Sequence, residues 1–229
     1  MRLLLTRLLD FAFPRSCCGC GPPTATGAPW LCATCLHGLP SAPASRTRDG
    51  VLVAAATLYQ PGGATGRLVR AFKYDGARSL AAPLGGLLAA RYAWDADVLV
   101  LPVPLHRRRL LDRGYNQAVL LARVLARRRR LEWTLDTLVR LRDTPTQTRL
   151  PARERRRNLA AAFVVRRPHL VRRRDVVVVD DVVTTGATAD ACAGTLLAVG
   201  ARRVRVYAFA HTPTAAVVHA APESLKGAV

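Results

Sequence analysis

The sequence predicts an α/β fold, a mostly parallel sheet with helices on both faces, preceded by a small N-terminal cysteine knot. Three observations predict it. Valine-rich apolar runs recur between residues 51 and 209 without in-and-out alternation, as strands covered on both faces require. Helix-period segments separate those runs, the alternation that parallel strands need for their crossovers. Five of the six cysteines lie between Cys17 and Cys35, ahead of that pattern.

Taken in order, residues 1–14 (MRLLLTRLLDFAFP) read as a short amphipathic helix. Arg7 and Asp10 interrupt its leucines, so it lacks the continuous apolar core of an export signal. No window reaches the roughly 18 uninterrupted apolar residues of a membrane span, and the expected compartment is the cytoplasm. Residues 1–40 form one unit, this helix plus the knot, and 41–50 (SAPASRTRDG) reads as a linker or turn. The main domain is expected over 51–213, with a tail at 214–229. Its strands are 51–58, 97–103, 175–180 and 203–209. Its helices are 65–74, with Leu68, Val69 and Phe72 on one stripe, then 79–92, 114–128 and 187–199. Cys192, on the last of these, reads as a packed core residue.

Of the 229 residues, 50% are hydrophobic, enough for a sizeable core and incompatible with disorder throughout. The formal net charge is +20, and the stretch from Arg107 to Arg205 alone holds 24 arginines against 9 acids. Such an excess suits polyanions or phosphorylated ligands. Arginine outnumbers lysine 33 to 2, a bias that a GC-rich genome also produces, so spacing carries more weight than charge.

Cys17-x-x-Cys20, eleven residues, then Cys32-x-x-Cys35 is the spacing of a tetrahedral thiolate site for structural Zn²⁺. Each C-x-x-C turn points two sulfurs at one centre. Cys18 is a surplus thiol and His37 an alternative ligand. Four cysteines leave no open position, so the metal is expected to hold the fold rather than to catalyse.

Residues 176–188, VVVVDDVVTTGAT, are the most informative stretch. Four valines build a buried strand that ends in Asp180 and Asp181. Thr184, Thr185, Gly186, Ala187 and Thr188 then open a helix, whose free N–H groups and dipole favour an anion. Gly186 lets the backbone approach it. Paired carboxylates would repel a bare phosphate, but they suit sugar hydroxyls or a divalent cation beside one. The implied ligand is a ribose carrying a 5-phosphate. Neither a Walker A pattern nor a G-x-G-x-x-G follows any strand, which disfavours an ordinary NTPase or dinucleotide enzyme.

This segment resembles the phosphoribosyl-pyrophosphate motif of type I phosphoribosyltransferases. With AFKYDG (71–76), PVPLHRRRLLDRGYNQA (102–118), RDTPTQTRLPARERRRN (142–158) and the cysteine knot, the chain resembles the ComF/ComFC branch, linked to DNA uptake and competence. The resemblance implies a type I phosphoribosyltransferase, Rossmann-like sheet. It implies Asp180 and Asp181 on the ribose 2- and 3-hydroxyls, directly or through Mg²⁺, and Thr184–Thr188 around the 5-phosphate. Pro104, Leu105, His106 and Arg107 would form a pyrophosphate loop, Arg107 with a catalytic role. Residues 143–157 would be a hood, and Lys73 would touch substrate. Purine-salvage members carry an Asp at the position of Thr184, so the acceptor here is left unidentified.

The expected activity is transfer of a phosphoribosyl group from phosphoribosyl pyrophosphate, with Mg²⁺ and arginines balancing the departing pyrophosphate. The competing reading is a non-catalytic module that binds single-stranded DNA, or an adaptor of a DNA-import helicase, during uptake. Aromatics among the basic residues are sparse for a strand-binding groove: Tyr115, Trp133, Phe163 and Tyr207.

Overall fold

The structure, a computed structural model, describes residues 16–21, 31–92, 94–142, 159 and 161–212. The helix expected at 1–14, the hood at 143–157 and the tail at 214–229 lie outside the described residues.

Six segments pair into the main sheet: β1 (Ser45–Arg46), β2 (Leu52–Leu58), β3 (Leu99–Pro102), β4 (Glu132–Trp133), β7 (Asp175–Val183) and β8 (Arg203–His211). Two further segments, β5 (Leu138–Arg140) and β6 (Phe163–Val165), form a separate antiparallel pair. The spatial order of the main sheet is β1-β2-β8-β7-β3-β4. Only β1 runs antiparallel to its neighbour. The helices are α1 (Ala33–His37), α2 (Ala64–Tyr74), α3 (Ala81–Arg91), α4 (Arg107–Arg113), α5 (Gln117–Arg129) and α6 (Ala187–Ala198).

Parallel strands need helical crossovers, and these cover both faces. On one face, Leu68 and Phe72 of α2, Leu84 and Leu88 of α3, and Leu121 and Leu125 of α5 pack with Val177, Val179, Tyr207 and Phe209. On the other, Cys192, Ala193 and Leu196 of α6 pack with Val176, Val178 and Val206. Each of these fully buried leucines contributes about 2 kcal/mol of burial free energy. The placement of Cys192 in the core agrees with the sequence reading.

Three features depart from the sequence expectation. The segment 41–50, read as a linker, supplies edge strand β1, because Ser45 and Arg46 register against Val53 and Leu52. Strand β7 does not stop at Asp180 but stays paired with β8 as far as Val183–His211. Arg107, read within a loop, is the first residue of α4. His106 caps that helix, accepting the Arg108 N–H at 3.4 Å, and Gly114 ends it at φ 72°. Among the described residues, no helix is long and apolar enough to cross a membrane.

Candidate functional site

The phosphate-motif residues lie together at the C-terminal edge of the parallel sheet. This is where α/β sheets place ligands, because strands there open into turns rather than into packed helix ends. After its four buried valines, β7 carries Asp180 and Asp181 to its tip, and the turn 184–186 leads into α6. Thr184 and Thr185 are exposed, and the Thr185 hydroxyl accepts the Ala187 N–H at 3.5 Å. Gly186 has φ 77°, and a Cβ on it would stand 2.7 Å from Thr47 Cγ2. Only glycine fits that turn. Thr47 reaches it from just after β1 and donates its hydroxyl to Asp190 of α6. The residue that follows the edge strand thus buttresses the 184–186 turn.

Asp180 and Asp181 leave opposite faces of the strand, as adjacent strand residues do. Asp181 is buried and faces α2, where Lys73 Nζ lies 3.1 Å from Oδ1. Asp180 lies toward α6; its negative charge adds to the burial that already pushes the Cys192 thiol up. The Asp180 carboxylate also accepts the Asp181 N–H at 2.8 Å. Burial, together with the neighbouring Asp181, raises its pKa from the ordinary carboxylate value to about 7; Lys73 and the backbone bond offset only part of this. Two like charges at one strand tip thus have a single lysine between them among the described residues.

The end of β3 lies beside this tip, since the Val103 N–H donates to Val179 O at 2.8 Å. Pro104, Leu105 and His106 follow at half-buried positions, and Arg107 is exposed. Asn116, the N-cap of α5, holds this turn by donating to Val103 O at 2.9 Å. The AFKYDG and RGYNQ segments interlock. Tyr115 Oη and Gln117 Nε2 both donate to Phe72 O, at 2.5 and 3.0 Å, and the Arg78 guanidinium sits 4.7 Å above the Tyr115 ring. That lock fixes the C-terminal turn of α2, and with it Lys73. Tyr115 and Gln117 are therefore positioning residues that periodicity alone did not single out.

A cavity of about 470 Å³ opens beside the motif, lined by Tyr59, Pro61, Arg67, Arg70, Lys73 and Tyr74, with Val182 and Thr184 from the motif itself. The spacing of Arg67, Arg70 and Lys73 puts them on one face of α2, a signal present in the sequence that only Lys73 was drawn from. Gly66 lets α2 approach the preceding loop: a Cβ there would lie 2.1 Å from Pro61 O.

The four cysteines predicted as ligands are brought together. The Sγ atoms of Cys17, Cys20, Cys32 and Cys35 all lie within 4.8 Å of one another. Cys20 and Cys32 are 3.9 Å apart, against the about 3.8 Å that a tetrahedral Zn–S bond of 2.3 Å implies. A Cβ on Gly19 would stand 2.6 Å from Cys35 Sγ, so the backbone is shaped around the sulfurs. Burial lifts the Cys17 thiol, yet the N–H groups of Cys32, Cys20 and Gly19 outweigh it and bring its pKa down to about 6. Burial and the other three thiols push Cys35 up to about 12. A thiolate set with backbone N–H donors aimed at it fits zinc. Cys18 and His37 lie outside this cluster among the described residues. Arg67 ties the knot to the main domain, donating to Cys18 O at 2.8 Å, Gly19 O at 2.5 Å and Gly62 O at 3.1 Å.

Residues 110–224 match the model of the phosphoribosyl transferase domain family. The DNA utilization protein YhgH of Escherichia coli (strain K12) is 37% identical over 203 residues, 86% of this chain and 84% of that one. YhgH of Escherichia coli O157:H7 is 44% identical over 113 residues, so the match spans only about half, 49%, of either length. Competence protein F of Haemophilus influenzae is 38% identical over 113 residues, 48% of this chain and 49% of that protein. Among solved structures, glutamine phosphoribosylpyrophosphate amidotransferase from B. subtilis superposes with a TM-score of 0.42 and 22% identity, over 58% of this chain and 26% of that one.

Proposed function

This chain belongs to the ComF/ComFC family of proteins with a phosphoribosyltransferase domain, and we propose that it binds phosphoribosyl pyrophosphate with Mg²⁺ and transfers the phosphoribosyl group to an acceptor. The observation that carries the reading is the joint placement of an acid pair and a threonine-lined turn at one strand tip, with Lys73 between acids and cavity.

In this reading the N–H groups at the start of α6, with Thr184, Thr185, Gly186, Ala187 and Thr188, hold the 5-phosphate. Asp180 and Asp181 hold the ribose 2- and 3-hydroxyls and Mg²⁺, which when bound supplies neutralisation of the pyrophosphate charge. Pro104, Leu105, His106 and Arg107 face the pyrophosphate, Arg107 balancing the charge that builds on it. The bond from C1 of the ribose to pyrophosphate breaks with its electron pair leaving on pyrophosphate, and the acceptor's lone pair forms the new bond. The transition state resembles an oxocarbenium ion, so fixed orientation does most of the work. Lys73 balances Asp181 while the site is open. The Cys17, Cys20, Cys32 and Cys35 set holds structural Zn²⁺ and performs no chemistry.

Calorimetric titration with phosphoribosyl pyrophosphate, with and without Mg²⁺, tests the reading directly. Binding that strengthens with Mg²⁺ supports it, and absence of heat in both overturns it. The about 7 assigned to Asp180 adds a pH dependence. An ionised pair is needed for the cation, so Mg²⁺-dependent affinity should rise between pH 6 and pH 8 and level off above.

A second reading, binding of single-stranded DNA during uptake, is favoured by the names of the relatives and by the exposed run Arg127–Arg130 at the end of α5. It predicts affinity for oligonucleotides that falls steeply with salt and is indifferent to Asp180→Asn with Asp181→Asn.

A further inference from the structure

The cavity beside the phosphate turn has a lining whose chemistry is one-sided. Arg67, Arg70 and Lys73 line it, and no carboxylate and no imidazole does so among the described residues. Two of the cations are already engaged: Lys73 with Asp181 at 3.1 Å, and Arg67 with the carbonyls of Cys18, Gly19 and Gly62. Arg70, an exposed lining residue, makes no hydrogen bond or ion pair among the described residues. Two tyrosines, Tyr59 and Tyr74, complete the wall with Pro61 and Val69. Tyr74 is held from outside, its ring 5.3 Å from the Arg113 guanidinium and its hydroxyl accepting from Arg113 at 3.5 Å.

An acceptor bound here meets positive charge and aromatic surface and, among the described residues that line the cavity, no carboxylate or imidazole to take a proton from it. A neutral acceptor whose nitrogen must lose a proton as it attacks would find no carboxylate or imidazole among the described lining residues to receive it. We infer that the cavity is the acceptor subsite, and that it takes a planar heteroaromatic acid. Such a ring arrives with its negative charge already present as a carboxylate and with a proton-free ring nitrogen as nucleophile.

This inference rests on the phosphoribosyl-transfer reading, whose donor would lie against Thr184, which lines the cavity. The step then balances without a base. The ring nitrogen's lone pair forms the bond to C1, the bond from C1 to pyrophosphate breaks, and its electron pair leaves on pyrophosphate. No proton moves, and the ring becomes a pyridinium-type cation whose carboxylate stays beside Arg70. A cavity of about 470 Å³ lies in the range of small-molecule sites and has room for one ring beside a ribose. Arg70 is the specificity residue, since a planar guanidinium pairs a carboxylate through two parallel N–H bonds.

The test uses the full zinc-loaded chain and three probes differing in one property each. Pyridine-3-carboxylate has the ring and the charge, pyridine-3-carboxamide has the ring alone, and acetate has the charge alone. Each is titrated calorimetrically into the protein, alone and saturated with phosphoribosyl pyrophosphate and Mg²⁺. We expect the ring acid to bind at least about 10-fold more tightly than either control, Arg70→Gln to erase the margin over the carboxamide, and Arg70→Lys to retain part of it. Arg70 is exposed and makes no hydrogen bond or ion pair among the described residues, so these variants should keep the parent melting temperature. Equal affinity for acid and carboxamide overturns the inference. So does a preference that survives Arg70→Gln, or acetate binding as well as the ring acid. Titration of phosphoribosyl pyrophosphate alone separates the two claims. Silence there removes the transferase reading and the cavity's role as acceptor subsite, whereas donor binding without ring-acid preference removes only the latter.

Discussion

Strand β7 carries acids at both ends, and the fold treats them in opposite ways. At its start, Asp175 is buried but answered by arginines of β8 and the residue before it: Arg202 Nε at 2.7 Å, Arg203 Nε at 3.9 Å and Arg205 Nη2 at 4.0 Å. The Arg202 hydrogen bond above all holds its carboxyl below the usual range. At its end, Asp180 and Asp181 crowd one another with Lys73 as their cation among the described residues, and Asp180 is driven up to about 7. One strand thus has an end whose charge is balanced by arginines and an end whose charge, among the described residues, is balanced only in part. Arginine is plentiful in this chain, yet among the described residues it is Lys73 that pairs with the tip. Charge withheld there is charge a cation or a substrate can supply.

The sharpest way to break this contrast is to neutralise each end in turn. Asp180→Asn with Asp181→Asn should weaken binding of Mg²⁺ and phosphoribosyl pyrophosphate by at least about 100-fold, whereas Asp175→Asn should leave it unchanged. Calorimetry on both proteins reads the difference, and equal losses would mean that the two ends are not distinct. Stability should respond in the reverse order. Asp175→Asn leaves arginines without their buried partner and should cost about 2 kcal/mol, roughly 4–8 °C in melting temperature.

A smaller effect sharpens the comparison through pH. A carboxyl raised from 3.8 to about 7 binds its proton more tightly folded than unfolded, so its contribution to stability falls as pH rises through that window. Asp180→Asn should therefore stabilise the protein at pH 8, by about 1 kcal/mol once the partial exposure of the residue is allowed for, and change little at pH 4. Asp175, shifted the other way, should lose its stabilising contribution only as pH falls below the ordinary carboxylate range. Melting curves of the single variants at both pH values decide it.

Sequence reasoning reached the parts of the site that are local. The run from Val176 to Thr188 is contiguous, so strand, acid tip, turn and helix start were all legible from one window. The cysteine spacing likewise encodes its own geometry. What stayed hidden depends on segments far apart in the chain. Lys73 falls in the AFKYDG segment, but nothing in periodicity says that it meets Asp181. Tyr115 and Gln117 gripping Phe72 O, and Arg67 reaching Cys18 O 49 residues away, are tertiary contacts without a local signature. Strands β1, β4, β5 and β6 are two or three residues long, too short for a period of two to show. The cavity is hidden for the same reason, as its walls come from three separate segments.

The guanidinium of Arg67 fastens three carbonyls that belong to two different parts, the metal knot and the loop that starts α2. A rivet of this kind makes the state of four sulfurs mechanically audible elsewhere. Whatever disperses the four-cysteine cluster also frees the backbone that Arg67 holds. The helix bearing Arg70 and Lys73 would then keep its far end pinned by Tyr115 and Gln117 and its near end by Gln60 and Gly62, but lose its tie to the knot.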